Sequence, residues 1–175
     1  TYLEGYLWDP EVAKQAFRKA AHIAESAGRK VALSLSDPFC VERHRSEFLD
    51  LVKNHIDILF ANEEEIMSLY QLKDFDSALH AVRVDCEIAA LTRSEKGSVV
   101  VCRDGVHIAD IEPVVEVVDT TGAGDAYAAG FLHGLIANLP LDKCAHLGSI
   151  CSAEIISHVG ARSSLSLKKL IKQKL

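Results

Sequence analysis

The 175-residue sequence lacks the marks of several protein classes. Its five cysteines are odd in number and form no C-x-x-C pair, so reduced, mostly buried thiols are favoured over a disulfide framework. Its eight histidines form no H-E-x-x-H pattern, which argues against a zinc site. No apolar run approaches the roughly 18 residues of a membrane helix. The net charge of -6 gives no electrostatic footprint for nucleic acid. We therefore expect a cytoplasmic protein that binds neither membranes nor nucleic acid.

The composition predicts an ordinary globular domain. Hydrophobic residues make up 49% of the chain and charged residues 25%. The chain starts at Thr1, its only methionine is Met67, and Thr1–Trp8 has the pattern of a strand already in progress. We therefore interpret residues 1–175 as the C-terminal part of a single domain whose N-terminal portion is missing.

Strand-like and helix-like segments alternate along the chain, which predicts a mostly parallel sheet covered by helices on both faces. The predicted strands are Thr1–Leu7, Lys30–Ser36, Asp57–Ala61, Glu87–Thr92, Ser98–Cys102, Val106–Ile111 and a β-branched segment, Val114–Val118. The predicted helices are Glu11–Ala27, Val41–Val52, Glu63–Tyr70, Phe75–Arg83, Ala123–Asn138, Leu141–Ser157 and Leu167–Gln173. Asp104-Gly105 is typical of a hairpin turn and adds an antiparallel element.

The segment Asp119–Asp125, Asp-Thr-Thr-Gly-Ala-Gly-Asp, is the most informative in the chain. It lies between a predicted strand and a predicted helix. The first turn of a helix has unpaired N–H groups and partial positive charge, and the small residues Gly122, Ala123 and Gly124 let an anion approach them. Asp125 is unsuited to simple phosphate binding but could accept a proton from a hydroxyl group.

Three other interpretations of this segment are open. The simplest is a helix N-cap, with Thr120 or Thr121 as the capping residue and Asp125 offsetting the dipole. A dinucleotide-binding turn needs a third glycine where Tyr127 stands, which weakens that interpretation. A Walker A loop needs Gly-Lys-Ser/Thr, which does not occur here.

From Asp119 through Leu132 the sequence resembles the second signature of the PfkB, or ribokinase-like, carbohydrate and nucleoside kinases. The strand-like Tyr2–Trp8 resembles the mid-domain strand of bacterial adenosine-kinase-like members. The resemblance implies a ribokinase-like three-layer α/β/α fold, here truncated at the N-terminus and without the lid. It also implies that Asp125 is the catalytic base and that Gly122, Ala123 and Gly124 form the anion hole.

The resemblance assigns roles to three further segments. Asn62 and Glu65 stand at the family's Asn-x-x-Glu motif, which helps to organise Mg²⁺ and the ATP phosphates; an acidic helix N-terminus is the simpler alternative. The loop Thr92–Gly97 (Thr92, Arg93, Ser94, Glu95, Lys96, Gly97) matches the nucleotide-contacting loop, although the family often has glycine where Ser94 stands. Gly160 matches a late glycine beside the adenine pocket. Positions corresponding to a K⁺ site are Asp119, Thr121, Ile155, His158, Gly160 and Ser164, although His158 by itself is better interpreted as structural.

The resemblance therefore implies ATP-dependent phosphorylation of a hydroxymethyl group on a nucleoside, with adenosine favoured, or on a sugar. ATP and Mg²⁺ are the expected cofactors, with K⁺ open. A homodimer also stays open for the full-length protein. Two alternatives are a nucleotide-binding but inactive fragment and a regulatory module, and we expect little catalysis from these 175 residues alone.

Overall fold

The computed structural model describes residues 1–174, which contain six strands and seven α-helices. The strands are β1 (Tyr2–Glu4), β2 (Ala32–Ser34), β3 (Ile58–Asn62), β4 (Ile88–Thr92), β5 (Ser98–Cys102) and β6 (Gly105–Ala109). The helices are α1 (Glu11–Ser26), α2 (Pro38–Asn54), α3 (Glu63–Tyr70), α4 (Phe75–Asp85), α5 (Ala123–Ile136), α6 (Leu141–Ile156) and α7 (Leu167–Lys174). The described helices include none that is long and apolar enough to cross a membrane.

The strands form one mixed sheet in the order β1 to β6. Strands β1 to β4 are parallel, and their register places Leu3 beside Leu33, Leu33 beside Leu59 and Leu59 beside Ala89. Strands β5 and β6 are separated by only two residues, a connection that suits an antiparallel hairpin. The predicted α/β fold class is confirmed.

The chain divides into two compact units. The first unit consists of Thr1–Thr92 and Val101–Val106, and the second of Arg93–Val100 and the chain from His107 onward. In the first unit the central strands are buried on both faces, as Leu33 and Leu59 show on one face and Ala32 and Ile58 on the other. Such burial explains why these strands have nearly continuous apolar sequences.

The second unit is built around the antiparallel pair α5 and α6. Helix α5 is apolar around most of its circumference, and it buries Tyr127 and Phe131. Helix α6 contributes Leu147, Ile150 and Cys151 to the buried interior. A helix with so little polar surface needs neighbours on several sides. The core of this unit therefore fixes the start of α5, where the glycine turn lies.

Two predicted strands differ in the structure. The first strand ends at Glu4, and Gly5–Trp8 forms a 3₁₀ turn that points the indole of Trp8 into the core against Phe17. The segment Val114–Val118 is not a strand. At its C-terminal end the Val118 N–H donates to the carbonyl of Ile156 at the end of α6 and not to a strand. Val115, in the middle of the segment, is fully exposed.

Candidate active site

The turn that precedes α5 presents free N–H donors. Gly122 is the N-cap residue and adopts a left-handed conformation with φ of 81°, and no side chain caps the helix. The interpretation of Thr120 or Thr121 as a capping residue is therefore wrong, because Gly122 reverses the chain and the N–H of Ala123 bonds instead to the carbonyl of Thr120 at 3.1 Å. The N–H groups of Gly124 and Asp125 have no partner among residues 1–174. Two unpaired donors at the positive end of a helix can bind an anion.

Asp119 ties this turn to the loop after α6. Its Oδ1 accepts a hydrogen bond from the Thr121 N–H at 2.9 Å, and its Oδ2 accepts one from the Gly160 N–H at 2.9 Å. The Thr121 hydroxyl and these two N–H groups lower the pKa of Asp119 to about 2. Gly122 lies so close to Ala161 that a Cβ at Gly122 would come within 2.6 Å of the Ala161 Cβ. The turn is thus held in one conformation from both sides.

Asp125 lies in the first turn of α5 and is exposed. Its carboxylate makes no hydrogen bond or ion pair with any other residue in the part of the chain that the structure describes. A carboxylate that is not engaged by protein donors can accept a hydrogen bond and then a proton from a bound hydroxyl group. The geometry is compatible with the predicted role of Asp125 as a base.

Asn62 and Glu65 form a capping box at the start of α3. The Glu65 N–H donates to Asn62 Oδ1 at 2.8 Å, and Glu65 accepts from the Asn62 N–H at 2.9 Å and from Asn62 Nδ2 at 2.8 Å. Glu65 is only 5% exposed. Burial, and to a smaller extent the nearby carboxylates of Asp37 and Glu4, raise the pKa of Glu65 to about 7. The capping box explains the spacing of this pair, and its metal-binding role stays a prediction.

A group of polar residues that the sequence reading did not identify lies near Glu65. Ser36 donates from its hydroxyl to Glu4 Oε2 at 2.7 Å, and Tyr2 donates to Glu4 Oε1 at 2.6 Å. Asp37 caps α2 by accepting from the Cys40 N–H at 2.8 Å. The missed signal is positional: Glu4 ends β1, Ser36 and Asp37 follow β2, and the carboxyl ends of parallel strands share one edge, where ligands of α/β proteins bind.

The loop Thr92–Gly97 forms a tight turn after β4. Residues Ser94–Lys96 make a 3₁₀ turn, and the Arg93 N–H donates to the Gly97 carbonyl at 2.8 Å. Gly97 has φ of 80°, and a Cβ there would come within 2.2 Å of the Ala109 carbonyl oxygen. Ser94 also has a positive φ, 51°. Its backbone thus adopts a conformation that favours glycine, which fits the expectation that glycine is common at this position.

The predicted cation positions are only partly in contact. Asp119, Thr121 and Gly160 are joined by hydrogen bonds, whereas Ser164 and His158 contact Glu154 of α6. Within residues 1–174, no three His, Cys, Asp or Glu residues are grouped as metal ligands.

A cavity of about 420 Å³ lies in the second unit beside the segment that leads into the turn. Its lining is mostly apolar and includes Val114, Val115 and Val118 from that segment and Ile150 and Ala153 from α6. Three glutamates, Glu154 among them, and Lys174 also line it, and its volume is in the range of small-molecule sites. Because Val118 immediately precedes Asp119, the cavity and the glycine turn are adjacent along the chain.

Comparison with known proteins supports this description. The sequence model of the pfkB family carbohydrate kinases matches residues 1–168. The crystal structure of adenosine kinase from Sinorhizobium meliloti is 48% identical and superposes with a TM-score of 0.98, over 100% of this chain and 54% of that chain. A probable sugar kinase from Rhizobium etli is 46% identical, with a TM-score of 0.97 over 99% of this chain and 53% of that one.

A more distant relative is an uncharacterized sugar kinase of Archaeoglobus fulgidus. It is 33% identical over 125 residues, which are 71% of this chain and 49% of the relative. The chain therefore spans about half the length of the curated relatives and solved structures it matches.

Proposed function

Because this chain belongs to the pfkB family of carbohydrate kinases, we propose that its protein transfers the γ-phosphoryl group of ATP to a hydroxymethyl group of a nucleoside or sugar. The single observation that carries the proposal is the turn Gly122–Asp125, where free N–H donors at a helix start lie beside an unengaged carboxylate. Phosphoryl transfer needs both: donors that stabilise negative charge and a group that takes the proton of the acceptor.

Each part of the turn has a role in this proposal. The N–H groups of Gly124 and Asp125 donate to oxygens of the transferred phosphoryl group, and the glycines keep side chains out of their way. Asp125 orients the acceptor hydroxyl and takes its proton as the oxygen bonds to phosphorus and the bond to the ADP leaving group breaks. ATP would supply the phosphoryl group, and a magnesium ion would neutralise part of its charge.

Residues outside the turn are assigned roles of their own in this proposal. The apolar cavity beside Val118 would hold the adenine ring of ATP, with Gly160 and the loop Thr92–Gly97 as further nucleotide contacts. Glu65, with Asn62, would contribute to Mg²⁺ binding through water, and a cation would favour the ionised form of this buried carboxyl group. Asp119, Thr121 and Gly160 would form part of a K⁺ site.

Adenosine is the favoured acceptor, and a sugar is the second candidate. The similarity to the S. meliloti adenosine kinase favours a nucleoside, whereas the similar R. etli protein is described as a sugar kinase. One feature of the structure supports the nucleoside. Tyr6 exposes 60% of its surface, and its N–H donates to the Ser36 hydroxyl at 3.2 Å, so an exposed aromatic ring lies among the polar groups that follow β1 and β2. Aromatic rings of this kind stack on nucleobases.

An assay of the whole natural protein tests this function. Adenosine, other nucleosides, ribose and fructose 6-phosphate would each be incubated with ATP and Mg²⁺, and ADP release would be measured. We expect turnover with adenosine above the others. Nucleotide binding without turnover on any acceptor would instead favour an inactive or regulatory nucleotide-binding protein.

The base is tested with Asp125→Asn. We expect turnover to fall about a hundredfold or more, because a positioned base contributes about that much, while ATP binding is retained. Asp142→Asn is the matched control, since Asp142 is an exposed carboxylate in the first turn of α6 and should leave turnover unchanged. Near-normal turnover of Asp125→Asn would show that Asp125 is not the base.

A further inference from the structure

Glu154 occupies a position that local energetics disfavour. It lies in the last turn of α6, where the helix dipole is negative, and it is only 6% exposed. Both features penalise a carboxylate, because the dipole repels it and burial removes its hydration. A residue that breaks two local rules is expected to be compensated by specific contacts.

Those contacts come from the loop that follows α6. Glu154 Oε1 accepts hydrogen bonds from the Ser164 N–H at 2.9 Å, the Ser164 hydroxyl at 3.0 Å and the Leu165 N–H at 3.2 Å. It also lies 3.2 Å from His158 Nε2. Burial alone would raise the pKa of Glu154, but the hydrogen bonds from Ser163, Ser164 and Leu165 outweigh it and hold the pKa below its usual range. Through these contacts Glu154 anchors residues 158–165.

The same loop holds the turn before α5. Its Gly160 N–H donates to Asp119 Oδ2, and its Ala161 packs against Gly122. Asp119 in turn accepts from the Thr121 N–H. Asp119, Thr121 and Gly122 make no hydrogen bond to Glu154 among those of the described residues, so the loop is the route by which the Glu154 carboxyl group reaches the turn. Helix α6 also contacts the turn directly, since the Ile156 carbonyl accepts from the Asp119 N–H at 3.4 Å.

We propose that Glu154 is a positioning residue for the phosphate-binding turn: it fixes the loop 158–165, and this loop fixes Asp119 and Gly122. The inference rests on the proposed function only where it calls the turn phosphate-binding. The mechanical part, that Glu154 controls the order of the turn, holds independently of the reaction.

The test compares Glu154→Leu with Glu154→Gln by amide hydrogen exchange. Leucine has a side chain of similar size but no hydrogen-bond acceptor. We expect exchange at the Thr121 and Gly160 amides to become at least about tenfold faster, since hydrogen bonds to a charged group are lost. Glutamine keeps one carbonyl acceptor for the Ser164 and Leu165 N–H groups. Its effect at the same two amides should be several-fold and smaller than that of leucine.

Leu147→Ala is the control for general destabilisation. Leu147 is fully buried in α6, and its truncation leaves a cavity without removing a hydrogen bond to the loop. It should raise exchange in the core of α5 and α6 without singling out Thr121 and Gly160. The proposal is overturned if Glu154→Leu leaves those two amides unchanged or gives the same pattern as Leu147→Ala. If the leucine variant does not fold, an unselective pattern in Glu154→Gln overturns it equally.

ATP binding, measured by calorimetry, separates this inference from the proposed function. We expect Glu154→Leu to weaken ATP binding about as much as it loosens the turn. A wild-type protein that binds ATP and a leucine variant with undiminished affinity would overturn the phosphate-positioning role. A wild-type protein that binds no ATP, together with selective exchange at Thr121 and Gly160, would refute the proposed function and leave the coupling of Glu154 to the turn intact.

Discussion

Replacing Glu65 with glutamine should change how the stability of the first unit depends on pH. The carboxyl group is buried, and its pKa is raised from 4.5 to about 7. The folded state therefore holds the Glu65 proton more tightly than the unfolded state does. It follows that the contribution of the Glu65 proton to folding stability is fully present below about pH 4.5 and is lost as pH rises through about 7.

The size of the effect follows from the pKa difference. At about 1.4 kcal/mol for each pH unit, the rise to about 7 corresponds to about 3 kcal/mol between the two limits. In the accessible window from pH 5 to pH 8 we expect the wild-type protein to lose about 2–3 kcal/mol relative to Glu65→Gln. All other titratable groups are the same in both proteins, so their contributions cancel in the difference.

The assay is urea unfolding followed by tryptophan fluorescence in the presence of EDTA. The chain has one tryptophan, Trp8, which is fully buried in the first unit and therefore reports on the unit that contains Glu65. Glu11→Gln is the control, because Glu11 is an exposed carboxylate in the first turn of α1. A stability difference between wild type and Glu65→Gln that stays constant from pH 5 to pH 8 would refute the reasoning.

Two further predictions concern the second unit. Gly122→Ala should destabilise this unit by about 1–2 kcal/mol because of the positive φ at Gly122, and by more because the new Cβ overlaps Ala161. Gly124→Ala, whose Cβ would meet nothing within 4 Å, should leave stability intact. Thermal unfolding followed by circular dichroism distinguishes the two variants, and equal melting temperatures would contradict the prediction. Tyr127→Phe removes the buried hydrogen bond from the Tyr127 hydroxyl to Ser98 Oγ and should cost about 1–3 kcal/mol, because the Ser98 hydroxyl is left unpaired. Adding Ser98→Ala to Tyr127→Phe should recover part of that loss, and a double variant less stable than the sum of both single changes would contradict the explanation.

The hydrophobic pattern of the sequence predicted the strands and helices correctly wherever the apolar residues of a segment are also buried in the fold. Strand β5 and helix α3 have the predicted bounds, and the predicted fold class is confirmed. The two errors share a cause, since an apolar, β-branched composition does not say whether a segment finds a strand partner. Residues 1–7 contain the pattern of a strand, yet Trp8 turns inward after Glu4. Val114–Val118 contains valines that border a cavity or face solvent instead of pairing in the sheet.

The candidate site likewise contains features that the sequence predicted and features that it missed. The order Gly-Ala-Gly-Asp before an apolar helix was enough to predict a glycine turn with free N–H donors at a helix start, because both features are local. Anion binding by this turn stays a prediction. The polar residues Glu4, Ser36 and Asp37 were missed, because they are far apart in sequence and meet only when β1 and β2 pair in parallel. The roles assigned to Asn62, Glu65 and the loop Thr92–Gly97 stay predictions.

The sequence by itself determined that this chain is an α/β protein with a glycine turn and a carboxylate at a helix start, since composition, period and the left-handed preference of glycine are local properties. Only the tertiary structure decided what holds that turn. Asp119 is engaged by Thr121 and by Gly160, 41 residues further on, and the buried Glu154 accepts hydrogen bonds from the loop that follows its helix. Hydrogen bonding across such separations depends on where folding places each group, and no local pattern encodes it.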